Sequence, residues 1–140
     1  GNPDALAALL ELYEGAGGSA PDLRSASGGK TLLHLACEGM CFLKSPAERH
    51  AACVALALGR RVDVGAAEPE TKKTCLHAYV GHKNWRRKGL EDSAAHMRVL
   101  EQLCDGGADV MAEDGDGRSA MSIAADAGLP RVREVMFGYL

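Results

Sequence analysis

A short block recurs along this chain, and the recurrence limits the fold more than any other feature. Gly29-Lys30-Thr31-Leu32-Leu33-His34-Leu35-Ala36 returns as Lys72-Lys73-Thr74-Cys75-Leu76-His77-Ala78-Tyr79. A degraded third copy is Gly117-Arg118-Ser119-Ala120-Met121-Ser122-Ile123-Ala124. A second block, Val62-Asp63-Val64 and then Ala108-Asp109-Val110, stands shortly before the next copy of the first. A two-part unit repeated in this way marks a stacked array, in which neighbouring units bury the apolar face that no unit can bury alone.

Local signals give each unit the same parts: a turn, an inner helix, a loop and an outer helix. Thr at the start of a helix caps free N–H groups. Leu33, Ala36 and Cys37 share one helical face, as do Val99, Leu100 and Leu103, and again Val132, Val135 and Met136. Gly106-Gly107 ends the second of these helices and Pro130 opens the last. Ala5 to Tyr13 reads as the outer helix of an incomplete first unit, followed by a Gly-rich loop.

These residues resemble the ankyrin repeat, whose pattern T-P-L-H-x-A recurs at about 33 residues. Thr31, Leu33, His34 and Ala36 keep the pattern, Thr74, Leu76 and His77 keep most of it, and the Pro is missing in all three copies. Gly107-Ala108-Asp109-Val110, with Asp116-Gly117, looks like the β-turn finger of that repeat. The resemblance spans about residues 22–138 and implies an all-α solenoid of stacked helix-turn-helix units with short β-turn fingers. The expected organisation is a single domain over 1–140. It comprises a cap helix and loop (5–20), three units (22–64, 65–110 and 111–140), and an origin in a longer protein, since Gly1-Asn2-Pro3 opens without an initiator Met.

The copies are spaced too widely. Thr31 to Thr74 is 43 residues and Thr74 to Ser119 is 45. Aligning the Asp-containing blocks places the excess between inner and outer helices, at Met40–Arg49 and His82–Ser93. Insertions in such arrays map to loops on one face, so the expectation is two loops projecting side by side.

Composition narrows the function. Aromatic residues make up 4% of the chain, while Ala (23) and Leu (17) dominate, which suits close-packed helices and not a β-sandwich. No run reaches the roughly 18 apolar residues of a membrane span. The net charge of −3 disfavours wholesale binding to a phosphate backbone. The five cysteines (37, 41, 53, 75 and 104) are odd in number and form no CxxC pair. They read as buried thiols in a reducing compartment, cytoplasmic or nuclear.

Chemistry-bearing patterns are weak. His34, Cys37, Cys41 and Cys53 have zinc-like residue types, but His34 is the repeat's turn-tying histidine, Cys37 falls where the repeat wants a small buried residue and Cys53 on the apolar face of an outer helix. Ser27-Gly28-Gly29-Lys30-Thr31 has the tail of a phosphate loop, with Arg24 where its first Gly belongs. Asp114-Gly115-Asp116-Gly117 is similar to the start of a calcium loop, yet Ala125 stands where the terminal Glu is required. Ser27, Ser119 and Ser122 lack an activating context. No enzyme activity, metal or cofactor is expected.

Interaction features are stronger. Lys30, Lys73 and Arg118 are equivalent positions, and in the ankyrin family that position lies on the finger and faces the concave groove. They read as a cation ladder for an acidic or phosphorylated segment, or as three solvated charges. Glu38, Glu70, His82, Asp116 and Asp126 align near the same groove, so its sign is mixed. Trp85, the only Trp, sits among Lys83, Arg86, Arg87 and Lys88. It reads as a binding hot spot or as a side chain folded back over the core, with Phe42 and Leu43 against it. The expected function is a non-catalytic scaffold or adaptor that binds a partner protein or peptide through Lys30, Lys73, Arg118, His82, Trp85, Arg86 and Arg87. The alternative is nucleic-acid or polyanion binding through 83–88, with Trp85 stacking on a base.

Overall fold

Each recurring Thr or Ser starts a helix by the same device. In the computed structural model, which describes residues 3–19, 24, 28–41 and 47–140, Thr31 Oγ1 accepts the backbone N–H of His34 (3.2 Å) while Thr31 N–H donates to His34 Nδ1 (3.3 Å). Thr74 and His77 repeat this reciprocal cap, and Ser119 with Ser122 forms it from two hydroxyls. A capping box commonly carries Glu or Gln at its third helical position; here that place falls to His or Ser.

The helices so begun are α2 (Leu32–Cys41), α4 (Cys75–Val80) and α7 (Ala120–Ala127), and they pack side by side in one row. A second row runs α1 (Pro3–Gly15), α3 (Ala47–Gly59), α6 (Ala94–Asp105) and α8 (Pro130–Phe137), each helix against the next. Between α4 and α6 lie the one-turn helix α5 (Asn84–Arg87) and a 3₁₀ turn at Leu90–Asp92. Among the described residues the chain is all-α. The only β pairing among the described residues is two isolated bridges, Arg24 with Thr31 and Glu113 with Ser119, at the turns that precede α2 and α7.

The core lies between the two rows. Leu33, Val99, Leu100, Leu103, Val132 and Met136 are fully buried in a single cluster, with Ala36 and Val135 packed against its edge. These are the faces expected from helical spacing. Helix α1 packs on α3, and an ion pair from Glu14 to Arg60 ties its end to the end of α3. No described helix is long and apolar enough to cross a membrane.

Adjacent turns approach so closely that side chains are excluded. A Cβ on Gly29 would meet the Pro69 ring at 3.0 Å, and one on Gly115 would meet the Thr71 carbonyl at 3.0 Å. Gly115 N–H donates to that carbonyl at 2.8 Å. The histidines add a second tie. His34 Nε2–H donates to the Lys73 carbonyl (2.9 Å), and His77 Nε2–H donates to the Arg118 carbonyl (2.9 Å). Each ring therefore caps its own helix through Nδ1 and holds the following turn through Nε2.

Of the two expected projecting loops, the first falls mostly on 42–46, which lie outside the described residues, Phe42 and Leu43 among them; α2 ends at Cys41 and α3 starts at Ala47. The second is no projecting loop. It folds as α5 and the 3₁₀ turn, with Trp85 and Leu90 buried in the core.

Candidate functional site

The turns preceding α4 and α7 and one face of α4 enclose an open groove of about 690 Å³. Lys30, Lys73 and Arg118 all line it, so the structure brings the three equivalent cations to one surface. His82, Lys83 and Ile123 line it as well.

The cations do not stand alone there. Lys30 Nζ is 2.5 Å from Glu38 Oε1, and that bond holds its ammonium above the usual lysine range. Arg118 pairs with Asp126 at 3.2 Å. Glu68, Asp114 and Asp116 complete the lining. Of the acids expected near the groove, Glu38 and Asp116 line it, Asp126 reaches it through Arg118, and Glu70 is not part of it. The surface is mixed in sign, which suits a ligand that offers both charges.

Two of these acids shape the turns. Asp114 Oδ1 accepts N–H bonds from Asp116 (2.9 Å) and Arg118 (3.0 Å), led by Arg118, and these hold its carboxyl below the usual range. Glu68 N–H donates to the Lys73 carbonyl (2.9 Å), and Thr71 Oγ1 donates to Glu68 Oε2 (3.1 Å). His82 is half-buried at the groove's end. Burial, helped by the charge of Lys83, lowers its pKa. Its Nδ1 accepts the Asn84 N–H at 3.1 Å.

Of the two readings of Trp85, the side chain folded over the core is the one the structure shows, which corrects its expected place among the partner-binding residues. It is 1% exposed. Its Nε1–H donates to the Tyr79 carbonyl (2.7 Å), and its ring meets Tyr79 edge-on with centroids 5.2 Å apart. Neither partner contact nor base stacking is open to a side chain so enclosed. Burial of a large ring with its N–H satisfied is worth more than exposure beside four solvated cations. Arg86 and Arg87, by contrast, are exposed on the outer face of α5 with Lys83 and Lys88.

Sequence reasoning missed His96. Ser93 Oγ caps α6 by accepting the His96 N–H (3.4 Å), His96 Nδ1 lies 2.7 Å from that oxygen, and Nε2–H donates to the Met40 carbonyl (2.7 Å), a long-range tie like those of His34 and His77. Ser93-x-x-His96 has the spacing of Thr31-x-x-His34, and that spacing was the available signal. Also missed was a depression of about 610 Å³ on the other side of the rows, with Leu58, Val62, Val64 and Gln102 among its lining.

All five cysteines are buried free thiols. Burial pushes Cys41 up to about 12 and Cys104 up to about 11. Among the described residues, no group of three or more His, Cys, Asp or Glu side chains has the arrangement of a metal site. No family model matches the chain, and no curated protein matches it.

Proposed function

We propose that this chain is a non-catalytic ankyrin-type repeat module, a scaffold or adaptor that binds an extended segment of a partner protein along the groove of Lys73, His82 and Arg118. The observation that carries the reading is the convergence of three equivalent turn cations on one open groove whose walls are locked turn to turn. A preorganised groove loses little entropy on binding. The ankyrin assignment rests on the recurring Thr-x-x-His blocks, and the two rows of helices and the histidine ties between turns support it.

A binding role suits the chemistry better than catalysis. Both ring nitrogens of His77 are engaged by the scaffold, all five thiols are buried, and burial holds those of Cys41 and Cys104 protonated. Two of the groove's cations, Lys30 and Arg118, are held in ion pairs, and the lining offers charges for recognition without an activated nucleophile. A cytoplasmic or nuclear setting fits five free thiols.

Selection from a displayed random-peptide library tests the reading. Enriched peptides are expected to bind the wild type and to lose about tenfold or more in affinity for Lys73→Glu/Arg118→Glu, with thermal unfolding unchanged. Failure to enrich any peptide, or equal binding to the variant, would overturn it.

A further inference from the structure

The second insertion carries a cluster of charge that the fold itself leaves unanswered. Lys83, Arg86, Arg87 and Lys88 place four cations within six residues of a chain whose net charge is −3. All four are exposed, and Lys83, Arg86 and Arg87 enclose a surface cavity of about 480 Å³. Among the described residues none of the four makes an ion pair.

The acids that could have neutralised them are committed elsewhere. Glu91 Oε2 accepts the backbone N–H groups of Arg131 (2.7 Å) and Val132 (3.0 Å), supplying the side-chain cap that Leu129 cannot give to α8. Asp92 pairs with Arg131 at 3.0 Å. The insertion thus spends its carboxylates on the last helix and turns its cations to solvent.

The cations are also held in place. Trp85 fixes α5 from beneath through Tyr79, and Asn84 Nδ2–H donates to the Cys41 carbonyl at 2.7 Å. The groove and the α5 cavity share Lys83, so the two surfaces are continuous. Within the groove Lys30 meets Glu38 and Arg118 meets Asp126; among the described residues the cations of the α5 cluster form no ion pair.

We infer that α5 is the docking point for an acidic stretch of the partner protein, lying next to the part that occupies the groove. This rests on the groove reading above. Adjacent guanidinium forks on a fixed turn suit carboxylate or phosphate groups of a peptide. Single-stranded nucleic acid fits less well, because Trp85, the only Trp, Tyr or Phe of the insertion, is buried and unable to stack. An anionic membrane fits less well too. None of the exposed large apolar side chains lies in the insertion to accompany the charge.

The test is fluorescence anisotropy with a labelled peptide of alternating Glu and Gly, run beside its Gln counterpart, oligothymidylate and phosphatidylserine vesicles. The acidic peptide is expected to bind, to weaken as salt is raised, and to weaken about tenfold or more with Arg86→Glu/Arg87→Glu. The exposed sites should leave thermal unfolding unchanged. No binding of the acidic peptide, or equal binding by the variant, overturns the inference. So does tighter binding of oligothymidylate or vesicles that the same variant abolishes. If Lys73→Glu/Arg118→Glu abolishes peptide binding and the α5 variant does not, the α5 inference fails and the groove reading stands. If display selection fails while the α5 variant alone loses the acidic peptide, the groove reading fails and α5 remains an acidic-segment site.

Discussion

Lys72 and Arg61 occupy backbone conformations that their side chains disfavour. Lys72 has φ 59° and stands where the other copies place Gly29 (64°) and Gly117 (76°). Arg61 has φ 60° and stands where the later unit places Gly107 (102°). A left-handed residue with a Cβ costs about 1–2 kcal/mol, partly offset by the greater unfolded-state freedom of glycine. Lys72→Gly is therefore expected to stabilise the chain by about 0.5–1 kcal/mol in urea unfolding, and a loss of stability would refute the assigned turn. Leu33→Ala should cost about 2–5 kcal/mol, because Leu33 is fully enclosed between α2 and its neighbours; a cost under about 1 kcal/mol would contradict that placement. The glycines of the recurring block were legible as a pattern, whereas their reason, a positive φ and a contact with the next turn, emerges only in three dimensions.

Among the elements, the second insertion departs furthest from expectation, and one substitution explains why. Where the first copy has Ala36, the second has Tyr79, fully buried. Helix α4 ends at Val80, and Tyr79 becomes a platform: its hydroxyl donates to the His96 carbonyl (2.7 Å), and its own carbonyl accepts from Trp85. The lost Ala and the added Trp are thus one packing event. Trp85→Ala should destabilise by about 3–5 kcal/mol, measured by urea unfolding; a change within about 0.5 kcal/mol would restore the surface reading of that side chain. Helical spacing made the long helices and their core faces legible. For residues 82–93 the sequence left two readings open, an exposed hot spot or a Trp folded over the core, and the contact with Tyr79 that decides for the core emerges only in three dimensions. The capping of α8 by Glu91 joins residues about 40 apart, and no local pattern announces it.

At the scale of the whole molecule, acid should act in two stages. Burial lowers the pKa of His50 and of His82 from 6.5. The unfolded chain then takes up protons near pH 6.5 that the folded chain refuses, so stability is level above that value and falls as the pH drops through the lowered ones. Asp114 acts later: its stabilisation persists above 3.8 and is lost as the pH falls through its depressed value. Urea midpoints across this range check both stages, and His50→Gln/His82→Gln should flatten the first; a first stage unchanged in that variant would assign it to other groups. Position equivalence placed Lys30, Lys73 and Arg118 on one surface from sequence alone, while the pairing of Lys30 with Glu38 and of Arg118 with Asp126 depends on side-chain reach from a turn onto the helix that follows it. The central claim is that a partner segment lies in this groove. Backbone amide chemical shifts, recorded as a display-selected peptide is added, test it most directly. Perturbations are expected to centre on Lys73, His82, Lys83 and Arg118 and to extend onto Arg86 and Arg87. Perturbations confined to Leu58, Val62 and Gln102, on the opposite side of the rows, would contradict it.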